Sequence, residues 1–98
     1  MSVTFSIENE NLVCRFPHHL DTAACTTLGH EILGKLEHFD NNVVFDLSQV
    51  EYVSSAFLRI CLIVFKKVGA DKFSIVNVTP MVKKVFKITG FDQAMKIE

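Results

Sequence analysis

The chain has 98 residues, a formal charge of -1 and an apolar share of 49%. That length fits one folded domain burying roughly two-thirds of the surface its unfolded chain exposes, and the composition excludes a disordered chain. The balanced charge, with a pI near 6.4 and a mean hydropathy of +0.29, excludes a nucleic-acid binder, which needs a basic stripe, and leads us to expect apolar surface that a partner covers.

In chain order, Val3, Phe5 and Ile7 alternate with Thr4, Ser6 and Glu8, and after Asn9-Glu10-Asn11 the chain resumes with Leu12-Val13-Cys14-Arg15-Phe16. This reads as a β-hairpin. Pro17 stops the second strand, and after a loop Asp21 or Thr22 caps a helix with Leu28, Ile32, Leu33 and Leu36 at helical spacing. The helix is predicted to end near Phe39, with Asp40-Asn41-Asn42 as the turn. Val43 to Leu47 is nearly all apolar and reads as a central strand covered on both faces, which implies helices on the faces of the sheet.

Ser54 or Ser55 then caps a second helix that runs to about Val68 and is closed by Gly69. Phe73 to Val78 is the next strand, and Thr79-Pro80 is an N-cap followed by proline at the first helical position. Val82, Val85 and Phe86 give the third helix its apolar face, with Lys83, Lys84 and Lys87 opposite. Gly90 ends that helix, and Ala94 to Ile97 is a candidate short last strand. The order ββαβαβα, with a possible final β, predicts an α/β fold: a mixed sheet with a parallel core, packed by three to four helices.

Cys14, Cys25 and Cys61 are odd in number and lack a Cys-x-x-Cys spacing, so neither a disulfide framework nor a zinc site is indicated, and reduced thiols fit the cytoplasm. Ser2 to Asn9 does not run from a basic to an apolar stretch, so no signal peptide is expected. Ile60 to Phe65 falls far short of the roughly 20 residues of a membrane span. A cytoplasmic protein with no membrane insertion is expected.

The candidate site is the start of the second helix. A strand ends, the chain turns, and two hydroxyls open the helix, so that a phosphate on Ser55 would meet free N–H groups and the positive helix end. The plainer alternative is that Ser54 and Ser55 only cap the helix. On a helical wheel Ser55, Arg59, Leu62, Ile63 and Lys66 share an outward face, and Leu58, Ile60, Cys61, Val64 and Phe65 an inward one. Leu62 and Ile63 are either an exposed binding patch, rimmed by Arg59 and Lys66, or covered by another element. Asp46 ends the central strand and Asp21 precedes the first helix near the same end of the sheet. Each either orients a serine hydroxyl or makes a cap or turn bond.

His18, His19, His30 and His38 show no metal-ligand spacing, and His30 and His38 read as solvent-facing. The lysines of the third helix read as a solvated face, with an acidic partner as the alternative. No glycine-rich phosphate loop, Gly-x-Ser-x-Gly elbow or paired-carboxylate motif is present, which leaves a nucleotide-binding or hydrolytic activity without a motif and points to no cofactor and no catalysis.

The string from Val43-Val44-Phe45-Asp46-Leu47 through Ser54-Ser55-Ala56-Phe57-Leu58-Arg59 resembles the signature of the STAS domain, the fold of anti-sigma factor antagonists. Leu20-Asp21-Thr22-Ala23, Asn77-Val78-Thr79-Pro80 and Val85 to Phe91 resemble the family's first helix start and C-terminal third. The resemblance implies a small cytoplasmic partner-switching module that binds an anti-sigma factor, itself a serine kinase. Phosphorylation of one serine breaks that binding, and a serine phosphatase reverses it. Matched residue by residue, the phosphoacceptor is Ser55, preceded by Ser54. The helical wheel and the strand ends, not the resemblance, extend the expected partner surface to Ser54, Ser55, Ala56, Arg59, Leu62, Ile63, Asp21 and Asp46. A constitutive, unphosphorylated STAS subunit, for example of a transporter, is the alternative. The family's usual glycine falls on Phe57, which the wheel points inward beside Cys61 and Val64.

Overall fold

The computed structural model describes residues 3–39 and 42–98. Ser2, at the start of the first alternation, and Asp40 and Asn41, expected in the turn before the central strand, lie outside the described residues. Strands β1 (Thr4–Glu8) and β2 (Asn11–Arg15) form the expected antiparallel hairpin. Its turn residues Asn9 and Glu10 both have positive φ, 53° and 69°. Two such residues in a two-residue loop match the twist of the flanking strands.

A two-residue strand β3 (His19–Leu20) follows, and then helix α1 (Thr22–Leu36). Asp21 is its N-cap, its carboxylate accepting from the Ala24 amide at 2.8 Å. The regular helix stops at Leu36, short of the expected Phe39, because the His38 and Phe39 amides bond to the carbonyls of Lys35 and Leu36 in a tightened final turn. Strand β4 (Val43–Asp46) leads to a second two-residue strand, β5 (Tyr52–Val53), and helix α2 (Ser55–Val68). Strand β6 (Phe73–Val76) stops before the predicted Val78, because Asn77 adopts a left-handed φ of 57°. Helix α3 (Pro80–Thr89) ends at Gly90 with φ 81°. Ala94 closes a short helix, α4 (Phe91–Ala94), rather than opening the last strand, which is β7 (Lys96–Ile97).

The main sheet has the order β1-β2-β4-β6-β7, antiparallel only at β1 and β2. Residues paired across parallel strands point to the same face, which makes the two faces distinct. One carries Leu12, Cys14, Val43, Phe45, Phe73 and Ile75, all buried in one cluster with Cys25, Leu28, Ile32 and Leu36 of α1, Phe57, Ile60, Cys61 and Val64 of α2, and Val82 and Phe86 of α3. Gly29 brings the first two helices together, leaving Ile60 Cδ1 only 3.6 Å from where a Cβ would stand.

The opposite face corrects the expectation that β4 is covered on both sides. Ser6, Val13, Arg15, Val44, Asp46, Ser74 and Val76 lie there, none in the core cluster, and Val44 and Val76 are half-buried. Val13 and Val44 are cross-strand partners and shield each other. Arg15 reaches from β2 to Ser6 at 3.1 Å and Glu8 at 2.7 Å on β1, and to Asp46 at 3.4 Å on β4. An apolar run in a central strand can thus reflect β-branched packing on an open face. The Arg15 and Ser6 bonds bring the Glu8 carboxyl down to about 2.

Candidate functional site

The pair β3–β5 decides the site. Its strands run parallel, with His19 opposite Tyr52 and Leu20 opposite Val53. Backbone bonds extend the pairing at both ends, from the Glu51 amide to the His18 carbonyl and from the Ser54 amide to the Leu20 carbonyl, each 2.9 Å. Because each strand feeds a helix within two residues, the pairing sets the starts of α1 and α2 side by side. A groove of about 380 Å³ opens between them, lined by Thr22, Cys25 and Thr26 of α1 and Ser55, Ala56, Arg59 and Ile60 of α2.

The two serines occupy different environments. Ser55, the first residue of α2, is exposed. Ser54 holds the N-cap position but makes no side-chain capping bond, and only 7% of it is exposed. Its hydroxyl lies 3.9 Å from the Cys25 thiol, which also reaches the Leu20 carbonyl at 3.7 Å. Ser54, expected on the partner surface, is corrected to a buried position, because the β3–β5 pairing pulls its backbone inward. The cap expected of either serine is also absent as a side-chain bond. No acidic side chain stands in the first turn of α2, so the positive helix end beside Ser55 has no carboxylate there to neutralise it.

Arg59 is exposed one turn beyond Ser55, and Ala56 is half-buried between them. Ile63 is 40% exposed, whereas Leu62 is half-buried and packed against the core. The two aliphatics therefore do not form one fully open patch. Phe57 is fully buried, its ring 5.1 Å from Phe16 and 6.0 Å from Phe45.

Neither aspartate carries a bond to a serine of the helix start. Asp21 is exposed and caps α1. Asp46 is 8% exposed, its Oδ1 accepting from the Ser48 amide at 3.0 Å and the Asn77 side chain at 3.2 Å, and its Oδ2 facing Arg15. Burial acts to raise its pKa, but the Ser48 and Asn77 bonds and the Arg15 charge outweigh burial and hold the carboxyl below the usual aspartate range. Placed among the partner-facing residues from sequence, Asp46 is corrected to a structural role in closing the strand.

Cys14, Cys25 and Cys61 are free and buried. Burial pushes the Cys14 thiol up to about 12 and the Cys61 thiol well above its ordinary value. It also raises Cys25, with the Asp21 charge adding and the Ser54 bond opposing. None is poised as a thiolate. Among the described residues, no three His, Cys, Asp or Glu side chains are grouped to hold a metal ion, and no helix is long and apolar enough to cross a membrane. His30 and His38 are exposed, and His18 pairs with Glu51 at 3.2 Å. Thr22, Cys25 and Thr26, which line the groove, were not legible as site residues, because only a long-range strand pairing brings them to Ser55.

Residues 3–98 match the model of the STAS domain. A protein of Bordetella bronchiseptica named as an anti-sigma factor antagonist, BtrV, is 32% identical over 74 residues, which are 74% of this chain; the match spans 64% of that relative's length. The structure of an anti-sigma-factor antagonist (STAS) domain protein from Planctomyces limnophilus superimposes with a TM-score of 0.88 at 20% identity, over 99% of this chain and 88% of that one. The Bacillus cell fate determinant SpoIIAA, in its phosphorylated form, gives a TM-score of 0.74 at 17% identity over 98% and 90%.

Proposed function

The chain belongs to the STAS domain family, and from that premise we propose that it is an anti-sigma factor antagonist working by partner switching in the cytoplasm. In this reading it binds an anti-sigma factor that is also a serine kinase, is phosphorylated on Ser55, and is restored by a serine phosphatase. It has no cofactor and no turnover of its own. The observation that carries the reading is the division between the serines: Ser55 is exposed at the start of α2, while Ser54 is buried. The naming of BtrV as an anti-sigma factor antagonist and the phosphorylated SpoIIAA structure support it.

Phosphate would add about -1.5 to -2 charges at a helix end that tolerates them, so the domain stays folded while an acidic or apolar partner surface is repelled. A penalty of about 4 kcal/mol would change affinity roughly a thousandfold, enough to hand a partner between two competitors. The test is incubation with ATP and a cognate serine kinase of the anti-sigma type, with the phosphate mapped by mass spectrometry. Modification at Ser55 is expected. Modification confined to another residue, or a Ser55→Asp variant that binds the kinase like wild type, would refute it.

A second reading is a constitutive STAS subunit that is never phosphorylated. The 40% exposed Ile63 favours it, since it offers a partner apolar surface, whereas the fully buried Phe57 offers none. It expects Ser55→Asp and Ser55→Ala to retain the partner equally in a pull-down.

A further inference from the structure

Of the large apolar side chains exposed among the described residues, the two most exposed are Met81 and Ile88, at 76% and 77%. Both belong to α3. Seven residues apart, they fall almost in line along the helix, and half-buried Val85 completes an i, i+4, i+7 strip. The strip is separate from the buried Val82 and Phe86, which already fix α3 to the core. Beside it Lys84 stands on the helix crest, and Lys83 and Lys87 lie one turn apart on the far flank, all exposed. Helix α3 has no acidic residue, and none of the three lysines forms an ion pair with the described residues.

We propose that the α3 face formed by Met81, Val85 and Ile88, with Lys84 and then Lys87 along its outer edge, docks an acidic amphipathic helix of a partner protein. The inference does not depend on Ser55. Apolar residues of such a helix would lie along the strip, and its carboxylates would reach the lysines. A second copy of this face is disfavoured, since it would bring the positive charges of Lys84 and Lys87 against their own counterparts. A lipid surface is the competing occupant, because lysines beside an apolar strip also suit an anionic bilayer, but the domain's own body borders the strip on its other side and limits how deeply it can sink; binding to anionic vesicles separates the two. The strip is about 10 Å long, matching two turns of a partner helix.

The probe is a synthetic helical peptide with leucines at heptad spacing and glutamates on both flanks, titrated into the whole chain and followed by backbone amide chemical shifts. Its counterpart carries glutamine for every glutamate. Shifts confined to residues 81–88 are expected with the glutamate peptide. Affinity should fall about tenfold, or about 1.4 kcal/mol, with the glutamine peptide, with the double variant Met81→Ser and Ile88→Ser, and with Lys84→Gln and Lys87→Gln combined. These exposed substitutions should leave the unfolding temperature in place. The proposal would be overturned by no shifts with the glutamate peptide, by equal binding of both peptides, or by binding to phosphatidylglycerol vesicles that the same variants abolish. Concentration-dependent dimerisation lost in the Met81→Ser and Ile88→Ser variant would overturn it in favour of a second copy.

Discussion

Replacing Phe57 by alanine probes the site from beneath. The ring is fully buried in the first turn of α2, edge-on to Phe16 at 5.1 Å and tilted against Phe45 at 6.0 Å, while those two rings meet at 4.8 Å. Truncating a buried phenylalanine costs about 3–5 kcal/mol, and losing an edge-to-face neighbour adds about 0.5–1.5 kcal/mol to simple area burial, so about 4 kcal/mol is expected. For a domain of this size each kcal/mol corresponds to about 4–8 °C, placing the melting temperature of Phe57→Ala at least about 16 °C below wild type. The assay is urea unfolding followed by far-ultraviolet circular dichroism, compared at unchanged slope. A loss below about 2 kcal/mol, outside the range for a filled core position, would refute the claim that the core has absorbed this ring in place of the family's glycine.

Ser55→Asp should leave stability unchanged or raise it by about 0.3–1 kcal/mol, because a carboxylate at the start of α2 meets the positive helix end; a melting temperature several degrees lower would contradict the exposed placement. Asp46→Asn should cost about 1.5–3 kcal/mol at neutral pH, the range for hydrogen bonds to a charged group. The folded carboxyl titrates below its unfolded value near 3.9, so its contribution is present above that pH and lost as pH falls through the lower folded value; the gap between variant and wild type should close on acidification in denaturant titrations. Glu10→Gly should raise stability by about 0.5 kcal/mol, since a left-handed residue costs about 1–2 kcal/mol and glycine's extra chain entropy offsets about 0.5–1 of it. Thermal melts would show that gain as a shift of a few degrees, and a decrease would argue against the turn geometry.

Periodicity carried much of the fold. Leu28, Ile32 and Leu36 mark α1, Val82 and Phe86 mark α3, and the inward turn of Phe57 follows from helical spacing alone; each is a local pattern that burial enforces. Strand endings were less legible, because single backbone conformations set them, as at Asn77. The one-sidedness of β4 was hidden for a different reason. Val44 reads as core in the sequence, yet its neighbours Val13 and Ser74 show that it packs along a sheet surface, and strand order is not a local property.

The distinction between Ser54 and Ser55 is the sharpest instance of that limit. Adjacent and chemically identical, they are equivalent as N-cap candidates by any local rule. What separates them is a bond from the Ser54 amide to the Leu20 carbonyl, across a strand pair of two residues on each side with no alternation to announce it. That bond turns the Ser54 hydroxyl towards Cys25 and delivers Ser55 outward at the first helical position. A change that weakens β3–β5, far from either hydroxyl in sequence, should therefore expose Ser54 as well. Leu20, fully buried at the end of β3, is the residue through which to make it. In Leu20→Ala the Ser54 amide should exchange with solvent faster relative to the amides in the middle of α2, and unchanged relative protection would mean that the helix start is held by α2 alone.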